Sequence, residues 1–250
     1  MVFFEIKAKM LKIFEEYKEL YKKQDKYGSH LKLMGKPFGF FLAKFFLKTK
    51  VITPNQVTLL SFIFYSLPGL FYAFGVYPYL IYGSIALLIG YLLDYADGQL
   101  ARLKGTSNIF GKWLDAENTV FSRTITFLGI TYGLYRMNPT ALVWILGFLA
   151  VTSRYVFELT YTYFKVLFPF SIESFEEEKK TRNKFIRNFY FTDNLAIVLL
   201  ILAGLFNQLL LYLYFTAIYG WIFNILLFIV FYKKSYKRGS LIQKDHYSNE

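Results

Sequence analysis

The sequence predicts an all-α integral membrane protein with six transmembrane helices, preceded by an amphipathic helix at its start. Three observations carry that expectation. Of 250 residues, 55% are hydrophobic and 22% aromatic, and the mean hydropathy is +0.34, too apolar for a water-soluble domain. The apolar residues gather into six stretches, several near the ~20 residues that a bilayer core demands. The Lys and Arg residues cluster in the connections that would share one side of the membrane.

In residues 3–24, Phe3, Ile6, Met10, Ile13, Phe14, Tyr17, Leu20 and Tyr21 line one side of a helix, with Lys and Glu opposite. Such a helix either packs on the protein or lies in the lipid interface. Phenylalanines and lysines recur over 38–50 and favour the interface. The expected spans are 53–75, 79–97, 111–135, 140–166, 193–206 and 208–232. Thr53 and Pro54 open the first as N-cap and first helical residue. The fifth is short, so it is either tilted or begins earlier, in Phe189–Phe191. The charged stretch 173–187 reads as a solvated linker. Charges interrupt every apolar run at the N-terminus, so no secretory signal is expected there. The expected division is 1–50 juxtamembrane helices, 51–235 membrane domain and 236–250 tail.

Twelve Lys/Arg fall in residues 1–50, three in 98–112, six in 165–187 and five after 232, whereas the opposite connections carry only Arg136. Both termini are therefore expected in the cytoplasm, in a multi-pass protein of the cytoplasmic membrane. The net charge of +12 flanks hydrophobic spans, which suits an anionic lipid surface rather than nucleic acid. The absence of cysteine excludes disulfides and thiolate metal sites. The two histidines, His30 and His246, lie in polar flanks and argue against a histidine-based zinc site.

Asp94, Asp97 and Asp115 stand where spans meet the cytoplasm. Carboxylates there are costly unless paired, hydrated or bound to metal. Asp94 and Asp97 are i, i+3 on one helix face. Gly98, Ala101 and Gly105 continue the stripe with small side chains, and Gly111 and Asp115 repeat a small-then-acidic pattern on the next helix. Two readings fit: an ion pair of Asp97 with a nearby Lys or Arg, or a cation site open to a phosphate ligand. Oxygen ligands without His or Cys favour Mg²⁺, Mn²⁺ or Ca²⁺. The outer halves of the spans are almost purely apolar, which argues against a channel or transporter and for a cavity open to the cytoplasm.

The segment resembles the signature of the CDP-alcohol phosphotransferase family, Asp-x2-Asp-Gly-x2-Ala-Arg, about eight residues, then Gly-x3-Asp-x3-Asp. Asp94, Asp97, Gly98, Ala101, Arg102, Gly111 and Asp115 occupy seven of its places. At usages of about 5–10% per residue type, seven chance matches arise at roughly one start in 10⁸, so coincidence is a poor explanation. The stretch ITPNQVT at 52–58, with Asn55 and Thr58, also resembles the family's first span.

The resemblance implies six membrane helices around a polar cavity, usually as a homodimer. It implies transfer of a phospho-alcohol from a CDP-linked lipid or polyol to a hydroxyl acceptor, with release of CMP. Asp94, Asp97 and Asp115 would hold a divalent cation, Mg²⁺ or Mn²⁺. Asn55, Thr58, Asp94, Gly98, Ala101, Arg102 and Gly111 would border the nucleotide and its phosphates.

One place departs. The final aspartate, a metal ligand and general base in the family, is Thr119 here, with Asn118 before it. Asp115, Asn118, Thr119, Ser122 and Arg123 share a helix face, and Asp115, Asn118 and Thr119 are the expected catalytic positions. The Asn118 carbonyl can ligate a metal and the Thr119 hydroxyl can hydrogen-bond, yet neither is a base. Glu117 lies about 200° round the helix from Asp115. Three outcomes stay open: an acceptor already ionised, another group acting as base, or binding without turnover. Arg123 and Arg154 fall inside spans. Arg154 can pair with Glu158 at i+4, and Asp193 can partner Arg123 or cap its own helix. Both arginines are candidates for an anionic acceptor, such as a sugar or glycerol phosphate. Gly129-x3-Gly133 reads as a close helix contact.

Overall fold

The computed structural model describes residues 30–49, 51–168 and 193–247. Among them every element is a helix: α1 (His30–Thr49), α2 (Pro54–Ala73), α3 (Tyr77–Leu103), α4 (Ile109–Met137), α5 (Ala141–Leu167), α6 (Asp193–Leu205) and α7 (Leu209–Tyr247). The expected amphipathic helix over 3–24 and the linker 173–187 lie outside the described residues. Four helices, α2, α3, α5 and the Leu209–Lys233 part of α7, are long and apolar enough to cross a membrane. Helix α6, with 13 residues, would span only about 20 Å. Helix α4 has 29 residues and carries Lys112, Asp115, Glu117 and Arg123 in its first half. Helix α7 runs past the expected boundary at 235 and stays helical to Tyr247.

Local sequence explains the ends that matter. Thr53 and Gln56 form a reciprocal capping box at the start of α2, with Thr53 N donating to Gln56 Oε1 at 2.8 Å and Gln56 N to Thr53 Oγ1 at 3.3 Å. Gly105, at φ +65°, ends α3. Gly105 N donates to Arg102 O at 3.2 Å and Thr106 N to Ala101 O at 3.0 Å. These are the paired bonds of a helix stop that needs a left-handed residue. Asn108 then starts α4, accepting from Gly111 N at 2.7 Å.

Helix α2 packs on both α3 and α4, α1 packs on α3, and α5 packs on α7 and α4. The α2–α4 contact is backbone to backbone. A Cβ on Gly129 would overlap the Gly69 carbonyl, and one on Gly133 would overlap that of Tyr72, so the small-residue spacing of α4 serves close packing. Buried polar side chains bridge helices: Thr126 Oγ1 donates to Tyr65 O at 3.1 Å and Asn224 Nδ2 to Ser153 O at 2.6 Å. The outside is apolar, with Ile63, Leu70, Leu128, Phe148 and Phe228 all more than half exposed. A polar-bridged interior under an apolar exterior is stable in hydrocarbon.

Candidate active site

The site forms where the end of α3 meets the start of α4, with α2 behind both. Asp97, on α3, is buried and accepts from Thr58 Oγ1 of α2 at 2.6 Å. Asn118, on α4, donates through Nδ2 to Thr58 O at 3.2 Å. Thr58, expected near the nucleotide, thus ties the two acidic helices together and holds a carboxylate. The Asp94 and Asp115 side chains are hydrogen-bonded across α3 and α4, and Asp97 lies within electrostatic reach of Asp115. Two carboxyl groups in contact need a proton or a cation between them.

A cavity of about 190 Å³ opens beside that contact. Asp94, Asp115, Thr119, Arg123, Arg154 and Asn194 are among the residues lining it. Along α4, Asp115 and Arg123 are eight residues apart, roughly 12 Å. The Thr119 hydroxyl donates to Asp115 O at 3.1 Å, so it is spent on its own helix. Arg123 Nη1 stands 3.2 Å from Glu158 Oε2. Glu158, which lies within i+4 reach of Arg154 on its own helix, thus also reaches across from α5 to α4. The i, i+4 spacing reports only neighbours along one helix, whereas this contact depends on how α4 and α5 pack. Arg154 is buried, its guanidinium over the Phe157 ring at 5.7 Å. The Asp193 side chain lies outside the described set.

The remaining expected nucleotide residues stand at the starts of α2 and α4 and at the end of α3. A Cβ on Gly111 would lie 3.7 Å from Asn55 Oδ1, which brings the starts of α2 and α4 together. The Arg102 guanidinium lies across Gly98, 3.7 and 3.9 Å from where a Cβ would stand. Ala101 is half-buried between them. Sequence reasoning missed Gln99, which is buried and donates through Nε2 to Lys36 O of α1 at 2.8 Å. It also missed Asn194, which accepts from Tyr95 Oη at 2.8 Å. A polar residue inside an apolar stretch was the only available signal for either.

Among the described residues no three acidic side chains converge as they stand into a set able to hold a metal ion. The donors nevertheless fit a hard divalent cation. Asp94 and Asp115 touch, Asp97 is one turn away, and Asn118 Oδ1 is a buried carbonyl oxygen without a hydrogen-bond partner among the described residues. Oxygen donors alone are what Mg²⁺ or Mn²⁺ select.

The chain is similar to several known proteins. Archaetidylinositol phosphate synthase of Pyrococcus horikoshii is 30% identical over 172 residues, covering 68% of this chain and 79% of that protein. A bifunctional IPC transferase and DIPP synthase of Aquifex aeolicus is 34% identical over 88 residues, 35% of this chain and 19% of that one. Crystal structures of Mycobacterium tuberculosis phosphatidylinositol phosphate synthase share the fold. The one with CDP-DAG bound has a TM-score of 0.58 at 16% identity, covering 76% of this chain and 92% of that one. The one with manganese and citrate has a TM-score of 0.56 at 17% identity, covering 79% and 88%. The family model for CDP-alcohol phosphatidyltransferases matches residues 51–229, from just before the Thr53 cap through the acids of α3 and α4 into α7. With that match spanning most of its length, the chain belongs to the CDP-alcohol phosphatidyltransferase family.

Proposed function

We propose that this protein transfers a phospho-alcohol from a CDP-linked donor to a hydroxyl of an anionic acceptor and releases CMP. The observation that carries the reading is the lining of one cavity, which holds the paired acids Asp94 and Asp115 together with two arginines, Arg123 and Arg154. The names of the relatives support a polyol phosphate as acceptor, and the neighbour with CDP-DAG bound supports a CDP-linked lipid as donor. Six crossings, both termini and the cavity in the cytoplasm, a homodimer and a transferase domain over 51–235 complete the reading. Flanking it are juxtamembrane helices in 1–50 and a tail in 236–250.

In this reading Asp94, Asp97 and Asp115 hold a divalent cation, Mg²⁺ or Mn²⁺, with Asn118 Oδ1 available as a fourth oxygen. Bound there, the ion supplies Lewis acidity and neutralises diphosphate charge. Thr58 keeps Asp97 oriented. Arg102, lying over Gly98, faces the phosphates where no side chain obstructs them, and Asn55 and Gly111 border the nucleotide. Arg123, steadied by Glu158, and Arg154 hold the acceptor's anionic group and turn its hydroxyl toward the acids. Position 119 offers no carboxylate, and its hydroxyl is already bonded to Asp115 O. That observation favours a second reading, binding without turnover.

Purified protein is incubated with CDP-diacylglycerol or a CDP-polyol, Mn²⁺ and a panel of polyol phosphates, and CMP is measured. Release supports transfer. No release from the wild type together with release from Thr119→Asp supports the binding-only reading. No release from either variant, and no CDP binding, would sink both.

A further inference from the structure

Charged groups are not all that faces the cavity. Thr119, Ser122 and Thr126 also line it, at i, i+3 and i+7 along one face of α4. Each hydroxyl proton is spent on a backbone carbonyl: Thr119 on Asp115 O at 3.1 Å, Ser122 on Asn118 O at 2.7 Å and Thr126 on Tyr65 O at 3.1 Å. A hydroxyl that has donated keeps its lone pairs and can still accept. These three side chains therefore offer acceptors and no donor.

Asn194 reaches the same cavity from the start of α6. Its Oδ1 accepts the Tyr95 Oη proton at 2.8 Å, and Tyr95 Oη in turn accepts from Tyr91 Oη at 3.4 Å. Tyr95 is held by packing, because a Cβ on Gly35 of α1 would meet its ring at 2.5–3.1 Å. A carboxamide is planar, and its oxygen and nitrogen diverge by about 120°. With Oδ1 turned to Tyr95 on α3, Nδ2 is the end left for the cavity, and among the described residues it donates to nothing. A neutral donor on α6 and neutral acceptors on α4 match an alcohol, which accepts through its oxygen and donates through its proton.

We propose that Asn194 is a specificity-determining residue, whose Nδ2 donates to a non-reacting hydroxyl of the acceptor. That hydroxyl gives its own proton to Ser122 or Thr126 Oγ, and Tyr95 positions the amide. The assignment rests on the acceptor reading above and narrows it to an acceptor with at least one hydroxyl beyond the reacting one. An acceptor without that group leaves the amide unpaired, which is how a hydrogen-bonding site rejects the shorter analogue.

The full chain in neutral detergent, with Mn²⁺ and CDP, is titrated calorimetrically with glycerol 3-phosphate, inositol 1-phosphate and 2-hydroxyethyl phosphate, as wild type, Asn194→Ala and Tyr95→Phe. Binding is read rather than turnover, so the result does not depend on catalysis at position 119. Wild type is expected to prefer a polyol phosphate to 2-hydroxyethyl phosphate, which carries only the reacting hydroxyl. Asn194→Ala is expected to lose about three- to tenfold in affinity for the preferred polyol phosphate, as for one neutral hydrogen bond, and to hold 2-hydroxyethyl phosphate as wild type does. Tyr95→Phe keeps the ring and its packing, and is expected to lose affinity for the same polyol phosphate alone. Unchanged polyol phosphate affinity in Asn194→Ala overturns the assignment. So does an equal fall for all the ligands, or a wild type without the preference. Wild-type affinities in Tyr95→Phe overturn the role given to Tyr95. A wild type that binds none of these phosphates removes the acceptor reading itself, and this assignment with it.

Discussion

Replacing Thr58 by valine removes one hydroxyl and leaves the size and branching of the side chain nearly unchanged. That hydroxyl donates to Asp97 Oδ2 at 2.6 Å, and both residues are buried, 5% and 6% exposed. A hydrogen bond to a charged group contributes about 1.5–3 kcal/mol, and here no water can take its place without opening the α2–α3 contact. Losing a partner that orients a metal-binding carboxylate typically weakens the metal by about 10–100-fold. Thr58→Val is therefore expected to lower Mn²⁺ affinity by that factor, read by titrating the purified protein and following free Mn²⁺ by electron paramagnetic resonance. Thr58→Ser, which keeps the hydroxyl, is expected to stay within a few-fold of wild type. The Asn118 bond goes to the Thr58 backbone carbonyl and survives both changes, so the pair isolates the hydroxyl. Unaltered Mn²⁺ affinity in Thr58→Val would refute the claim that this bond positions Asp97 for a cation.

Other expectations follow from the same geometry. Gly129→Val would force α4 away from the Gly69 carbonyl and is expected to destabilise the protein by about 1–3 kcal/mol or more, seen as a lower unfolding temperature in detergent; an unchanged temperature would contradict the close contact. Arg123→Gln is expected to raise KM for an anionic acceptor at least tenfold, since it removes a charge-assisted contact of about 1.5–3 kcal/mol, while CDP affinity stays as in wild type. A matching loss of CDP affinity would place Arg123 at the donor instead. Chelating divalent cations is expected to abolish CMP release and to weaken CDP binding, both restored by Mn²⁺; release that persists in excess chelator would exclude a cation at the three aspartates.

The sequence alone determined the all-helical character, because long apolar runs with caps such as Thr53-Pro54 encode helices through local bonds. It also determined that Asp94 and Asp97 share one helix face, through helical spacing, whereas the approach of Asp115 from the next helix is a matter of packing. The Gly129-x3-Gly133 contact was legible from the same spacing. Tertiary structure alone decided who meets whom across helices. Thr58 reads as a nucleotide residue from its place in ITPNQVT, but only the packing of α2 against α3 puts its hydroxyl on Asp97. Glu158 is four residues from Arg154 in sequence, and only the approach of α4 and α5 brings it to Arg123 as well. Helix α1 has a partner that no local pattern names, and it packs on α3 where two glycines admit Tyr95. Periodicity along one helix fixes which side chains share a face; what that face meets depends on contacts between residues far apart in the chain, and those are decided by packing.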